Sequence, residues 1–206
     1  MQNPSPIHQQ AADQAIIYLN TTQALAIEFS PQVTEHVFTC SSDAAYADNI
    51  PSRHSTEGYL FSLFGGPIDW RSTKQRTVTT SSTEAELLAM THTAKELAWW
   101  KRFFNSINFD PGHDLRIYGD NQQAIRILTN STPQFSTKLR HVDISKNWLR
   151  QEVQAKRIQI EWVPTADMPA DGFTKILPRQ KHENFVRQLG LAEISHLLDD
   201  DITTRT

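Results

Sequence analysis

Cysteine is nearly absent from this sequence of 206 residues, in which Cys40 is the single one. A lone cysteine cannot form an internal disulfide, and its scarcity fits a reducing compartment. Long apolar runs are also lacking, since none approaches the roughly 18 residues that a membrane span needs. The N-terminal stretch MQNPSPIHQQ lacks the basic and then apolar pattern of a signal peptide. We therefore expect an intracellular protein, cytoplasmic or nuclear, that is not secreted and has no membrane partner.

A strong charge of one sign is lacking as well, because the net charge is −3. This balance gives no general attraction to polyanions, so any nucleic-acid contact has to come from local groups. Such groups exist in RSTKQR (residues 71–76) and between Lys138 and Arg157. Charge alone favours the simpler interpretation of both stretches as a solvated face. The length suits one domain with appendages, and it is enough to bury a core without staples.

Hydrophobic periodicity and turn residues predict an ordered series of helices and strands along the chain. The predicted elements are a helix over 5–19, a strand or linker over 20–32, a strand over 36–47, strand segments over 57–73 with a Gly65-Gly66 turn, a third strand over 75–82, a helix capped by Ser82 or Thr83 and running to about 105, a strand over 114–121, helices over 121–130 and 137–156, a strand over 157–164, and helical segments over 166–178 and 179–191.

Three strands joined by tight turns are antiparallel, whereas strands separated by helices add in parallel. The order therefore predicts an α/β fold with a five-stranded mixed sheet, three antiparallel and then two parallel strands, and helices on both faces. The five tryptophans are expected mostly in the core, although at most one of Trp99 and Trp100 can face inward fully, since they are adjacent on a predicted helix. The acidic tail from residue 193 to 206 is expected to be flexible.

Four acidic residues fall near predicted strand ends or at helix starts, where ligand sites form in such sheets. They are Asp43, Glu86, Asp120 and Asp171. Each has an ordinary explanation as a turn former, a first-turn helix charge, a helix cap or a surface charge. Carboxylates that converge repel one another unless cations are present, and hard oxygen ligands favour Mg²⁺ or Mn²⁺. Two such ions about 4 Å apart suit phosphodiester hydrolysis.

Several motifs in this order resemble the ribonuclease H domain that ends the polyprotein of copia-type LTR retrotransposons. They are SSTEAELLAM, AKELAWWKRFF, IYGDNQQAI, RHVDIS, IEWVPTADMPADGFTKILP and FVRQLGL. The resemblance covers about residues 3 to 191. It implies an RNase H-like fold over residues 35–192, preceded by a connecting segment with a short helix over residues 1–34.

The resemblance also implies four metal-binding, catalytic carboxylates, which match residues here one by one. The aspartate of the SDA motif is Asp43, and the second glutamate of TEAE is Glu86, so that Glu84 is a flanking charge. The aspartates of DNQ and of AD..TK are Asp120 and Asp171. The departures are Ala45-Tyr46 in place of Asp-Trp, and GDN in place of Cys-Asp-Asn.

The implied activity is hydrolysis of the RNA strand of RNA–DNA hybrids by two Mg²⁺ ions, with Mn²⁺ as a substitute. Candidate contacts to the 2′-hydroxyls of the hybrid, or ordinary caps and turns, are Ser41, Ser42, Ser82, Asn121 and Gln122. Candidate phosphate contacts are Arg71, Lys74, Arg76, Lys138 and Arg140. His141 matches an H.DI motif and is either structural or in contact with substrate.

An alternative stays open, namely a domesticated, non-catalytic protein on the same fold that binds hybrids or a protein partner. A related nuclease acting on DNA is a further class, which the TEAE and AD..TK contexts disfavour. Beyond nucleic acid, the expected partners are a reverse transcriptase or a host protein.

Overall fold

The structure is a computed structural model that describes residues 5–30, 36–112, 116–130 and 140–196, with only the backbone of residues 140–142. These residues divide into two compact units. The smaller unit holds helix α1 (Pro6–Thr21) and two short strands, β1 (Leu25–Ile27) and β7 (Leu191–Glu193). The strands pair antiparallel, with Ala26 opposite Ala192. The bounds of the domains remain a prediction.

The larger unit, residues 29–190, carries a five-stranded mixed sheet. Its strands are β2 (Phe38–Ala45), β3 (Thr56–Leu63), β4 (Gly66–Lys74), β5 (Arg116–Gly119) and β6 (Gln159–Trp162), and they lie in the order β4-β3-β2-β5-β6. The first three are antiparallel, and β5 and β6 add in parallel. This topology confirms the predicted α/β sheet and agrees with the RNase H-like fold that the resemblance implies.

The helices of this unit are α2 (Ser82–Ser106), α3 (Gln122–Thr129), α4 (Arg140–Gln154), α5 (Asp171–Thr174) and α6 (Arg179–Gln188), and Thr165–Asp167 form a 3₁₀ turn. The buried side of α2, including Met90 and Leu97, packs with Phe61 and Ile117 of the sheet into one core. Because successive strand residues point to opposite faces, Ser42 and Ala44 face α2, whereas Asp43 faces α5.

The predicted third strand over 75–82 is wrong, because residues 75–81 form a loop and Ser82 begins α2. Strands β3 and β4 form a hairpin that lies entirely within residues 56–74. The two strands are joined by a tight turn at Phe64 and Gly65, which take positive φ values of 52° and 82°. The loop is anchored by side chains instead of a ladder. Gln75 donates to the Glu57 carboxylate at 3.2 Å and to the Ala85 carbonyl at 2.8 Å.

Other predicted bounds also need correction. The N-cap of α2 is Ser81, whose hydroxyl accepts the Glu84 amide at 3.1 Å, and not Ser82 or Thr83. The predicted helix over 166–178 shrinks to the 3₁₀ turn and α5, since prolines at 169 and 178 interrupt it. The predicted helix over 179–191 ends at Gln188, because Gly190 takes a φ of +67° and the chain continues into β7. Residues 137–139 of the helix predicted over 137–156 lie outside the described residues, as does the tail after residue 196.

Among the described residues, no helix has the length and apolar character to cross a membrane.

Candidate metal centre

Asp43 lies inside β2, two residues before the strand ends, and only 1% of it is exposed. The Thr174 hydroxyl donates a hydrogen bond to its Oδ2 atom, and the Lys175 ammonium lies 3.6 Å from the same oxygen. Burial raises the pKa of Asp43, as do the charges of Asp120 and Asp171, while Lys175 and Thr174 act in the opposite direction. The protein therefore holds this carboxylate in an environment that disfavours its charge.

Asp120 follows the last residue of β5, at the carboxyl end of a parallel strand. Its Oδ2 atom accepts a hydrogen bond from the Thr165 hydroxyl at 2.7 Å, and its carbonyl accepts one from the Trp162 indole at 3.0 Å. The N-cap of α3 is Asn121, whose side chain accepts the Ala124 amide at 3.0 Å. The Asp120 carboxylate thus does not act as the helix cap and stays available for another role.

Asp171 is the first residue of α5, and its Oδ1 atom forms an ion pair with Lys175. This short helix is fixed against the sheet by two features. The Ser72 hydroxyl of β4 donates to the Phe173 carbonyl at 2.5 Å. Gly58 of β3 lets α5 approach closely, because a Cβ atom there would lie 2.8 Å from the Cβ of Phe173. The glycine therefore allows Asp171 to lie beside the β2 carboxylate.

The three aspartates converge, although 51 or more positions separate neighbouring members of the set along the chain. One carboxylate oxygen from each of Asp43, Asp120 and Asp171 lies within 4.8 Å of the others. Each oxygen comes from a different element, since the aspartates belong to β2, the end of β5 and the start of α5. This arrangement concentrates negative charge near the carboxyl ends of the inner strands β2 and β5, beside α5.

Glu86 lies on α2, where the charges of Asp43 and Asp120 act on it. Among the described residues, it does not belong to the group of carboxylates whose oxygens lie within 4.8 Å of one another. It is 5% exposed, and its Oε2 atom is buried without a hydrogen-bond partner there. Burial raises the pKa of Glu86 to about 9, with further contributions from the charges of Asp43 and Asp120. Glu84 differs, because its carboxylate accepts hydrogen bonds from the amide and hydroxyl of Thr80 at 2.7 and 2.6 Å.

The residues predicted to contact the 2′-hydroxyls of a hybrid differ in their exposure to solvent. Ser42 is fully buried and its hydroxyl accepts from Thr93 at 3.0 Å, so it does not face solvent. Ser41 is 4% exposed, and its hydroxyl has no hydrogen-bond partner within the described structure. Ser82 and Gln122 are exposed at the first positions of α2 and α3. These two helix starts are neighbours, since the Thr83 hydroxyl lies 3.3 Å from the amide oxygen of Gln123.

The predicted phosphate contacts are described only in part. Arg71 and Lys74 lie on the edge strand β4, Arg76 follows it, and all three are exposed. Lys138 lies outside the described residues. Arg140 and His141 are the first two residues of α4, and their side chains lie outside the described part of the structure.

Four residues at the acidic set were missed by the sequence reasoning. Thr165, Thr174, Lys175 and Trp162 hold or contact the aspartates described above. The signal that could have found two of them is spacing, since Thr174 and Lys175 follow Asp171 within one helical turn. Trp162, with 44% exposure, also corrects the expectation of a core tryptophan, as does Trp70 at 53%, whereas the 47% exposure of Trp99 beside a partly buried Trp100 agrees with the expectation for that pair.

The donor set suits a divalent cation. All of the converging atoms are carboxylate oxygens, which are hard ligands of the kind that Mg²⁺ and Mn²⁺ prefer. The buried, unpartnered Oε2 of Glu86 is a further oxygen that a cation would satisfy. Burial raises the pKa of Asp43 and of Glu86, and the neighbouring aspartate charges raise both further, so that a bound cation would favour the ionised form of each carboxyl group.

No family model matches the chain. It is 33% identical over 183 residues to the retrovirus-related Pol polyprotein of transposon TNT 1-94 from Nicotiana tabacum, which covers 89% of the chain. The chain spans only 13% of the length of that polyprotein. It is also 44% identical over 97 residues to secreted RxLR effector protein 161 of Plasmopara viticola, covering 47% of the chain and 68% of that protein.

Solved structures with a similar backbone include LC11-RNase H1, which was isolated from compost. The similarity covers 75% of this chain and 99% of that one, with a TM-score of 0.48 and 13% identity.

Proposed function

We propose that the chain, whose relatives over most of its length are the retrovirus-related Pol polyproteins of copia-type transposons, is a ribonuclease H. In this proposal it is a metal-dependent endonuclease that hydrolyses the RNA strand of RNA–DNA hybrids. The observation that carries the proposal is the convergence of three aspartate oxygens within 4.8 Å, next to a buried glutamate with an unpartnered oxygen.

Asp43, Asp120 and Asp171, together with Glu86, would hold the cations, two Mg²⁺ ions or Mn²⁺ in their place. Bound divalent ions of this kind supply Lewis acidity toward a phosphate oxygen and lower the pKa of water. The donor set supports this assignment because it offers hard oxygen ligands from four separate elements.

The protein's own contribution is to hold these carboxylates in place. Thr174 and Thr165 each donate a hydrogen bond to one aspartate, which fixes the orientation of that carboxylate before any ligand arrives. The raised pKa keeps Glu86 protonated at neutral pH without a cation. Loading the site therefore releases a proton from Glu86, because a ligating carboxyl group has to be ionised.

Substrate would lie across the neighbouring starts of α2 and α3. Ser82 and Gln122 are exposed there and could contact the 2′-hydroxyls that line the minor groove of a hybrid. The positively charged side chains of Arg71, Lys74 and Arg76 on and after β4 would contact phosphates. Ser42 has no part in substrate binding here because it is buried.

The experiment is a cleavage assay with Mg²⁺ on an RNA–DNA hybrid, with duplex DNA and duplex RNA alongside. We expect cleavage of the RNA strand of the hybrid and little of the other substrates. Asp120→Asn and Asp171→Asn should each reduce cleavage at least 100-fold while hybrid binding remains. Asp167→Asn is the matched control, because Asp167 occupies the same Ala-Asp context four residues earlier and is exposed. A wild-type protein that binds the hybrid with Mg²⁺ but never cuts it would favour the non-catalytic binding protein instead.

A further inference from the structure

The Lys175 side chain lies against two of the three converging aspartates. Its ammonium group forms an ion pair with Oδ1 of Asp171 and lies 3.6 Å from Oδ2 of Asp43. The charge of Asp120 also acts on it. One lysine thus contacts two of the three converging aspartates and experiences the charge of the third.

The backbone of Lys175 is fixed, whereas its side chain has room to move. Its amide donates to the Asp171 carbonyl at 3.2 Å, which closes the single turn of α5. The side chain is 41% exposed, compared with 1% for Asp43. An ammonium on a flexible four-carbon stem can therefore rotate toward solvent without disturbing the helix that carries Asp171.

The geometry points to a specific role for this residue: we propose that Lys175 is an internal counter-ion that occupies the place of a divalent cation and must leave when the cation binds. The proposal rests on the function proposed above, because it assumes that the aspartates hold a metal. An ammonium and a metal ion cannot both lie against the same carboxylate oxygens, since like charges at that distance repel.

Two consequences follow from the proposal. Without a metal, Lys175 offsets the mutual repulsion of the aspartates and stabilises the fold. In the presence of metal it competes, so that the affinity of the site is lower than the four carboxylates alone would give. A lysine that only forms stabilising surface ion pairs would stabilise the metal-free fold but would not lower the affinity of the site for metal.

The test compares Lys175→Met, which keeps the apolar stem and removes the charge, with Lys175→Arg, which keeps the charge. Lys95→Met is the control, since Lys95 is exposed on α2. Mn²⁺ binding to the protein alone is measured from the electron paramagnetic resonance signal of the free ion, with Mg²⁺ titrations by calorimetry. Thermal unfolding is measured in EDTA.

We expect Lys175→Met to bind Mn²⁺ about 10-fold more tightly than the wild type, the order expected from losing the two ion pairs of a partly exposed lysine. In EDTA its midpoint of unfolding should fall by about 2–4 °C. Lys175→Arg and Lys95→Met should match the wild type in both measurements.

An unchanged or weaker Mn²⁺ affinity of Lys175→Met, beside a wild type that binds Mn²⁺, would overturn the counter-ion role and leave the proposed nuclease intact. If neither the wild type nor Lys175→Met binds Mn²⁺ or Mg²⁺, the metal site itself fails, and the counter-ion role fails with it.

Discussion

Replacing Glu86 by glutamine tests the electrostatics of the site without any substrate. The pKa of Glu86 is about 9 in the folded protein, against an ordinary value of 4.5. Between these two values the folded state keeps a proton that the unfolded state has released. The free energy of unfolding should therefore be highest below pH 4.5 with respect to this group, and should fall as the pH rises toward 9.

The size of the effect follows from one proton. A difference of one bound proton changes the free energy of unfolding by about 1.4 kcal/mol per pH unit, so that two units, from pH 6 to pH 8, correspond to about 3 kcal/mol. Glu86→Gln mimics the protonated carboxyl group at every pH. It should remove this slope and make the protein more stable than the wild type at pH 8.

The assay is urea denaturation in EDTA at pH 5, 6, 7, 8 and 9. The slope of the free energy of unfolding against pH is compared between the wild type and Glu86→Gln. Glu84→Gln is the control, since it removes a carboxylate two residues away that is hydrogen-bonded to Thr80. Adding Mg²⁺ should raise the stability of the wild type at pH 8 more than at pH 5. Equal slopes for the wild type and Glu86→Gln would show that the buried glutamate does not hold a proton, and would refute the reasoning.

Two further predictions concern the fold beneath the site and the substrate. Gly58→Ala places a methyl group 2.8 Å from the Phe173 Cβ, which should displace α5, cost about 1–3 kcal/mol in urea denaturation and weaken Mn²⁺ binding through Asp171. If Gly58→Ala kept the stability and the Mn²⁺ affinity of the wild type, the close approach of α5 to β3 would not require a glycine at this position. Replacing Arg71, Lys74 and Arg76 together by glutamine should weaken hybrid binding in fluorescence anisotropy, and should flatten the slope of log affinity against log salt by up to about 0.9 for each phosphate that is no longer neutralised. A slope identical to that of the wild type would place the phosphates elsewhere on the protein.

The sheet could be predicted from the sequence because its signals are local. Alternating residues before Asp43, a glycine turn at Gly65 and the helical repeat after Ser82 each report on a segment of a few residues. The prediction failed where side-chain contacts between distant segments decide whether a segment forms a strand or a loop. The β-branched run after Gln75 has strand propensity, but buried hydrogen bonds to Glu57 and Ala85 hold it as a loop.

The acidic residues could be named from their motifs, but their surroundings could not. No local pattern shows that Thr165 contacts Asp120 from 45 positions away, or that Thr174 contacts Asp43 from 131 positions away. Burial separates the two glutamates of TEAE, since Glu86 faces the sheet and Glu84 faces the loop at Thr80. The metal-ligand role of the four carboxylates stays a prediction until cation binding is measured.

The pairing of β1 with β7 has a practical consequence for fragments of this chain. Residues Leu25–Ile27 and Leu191–Glu193 are far apart in sequence but share one ladder of backbone hydrogen bonds. A fragment that stops at Gly190 would lack β7, so the backbone amide and carbonyl groups of Leu25–Ile27 would lose their hydrogen-bond partners. Unpaired strands of this kind can pair with a strand of another molecule, which leads to aggregation. The two segments should therefore be kept together or trimmed together.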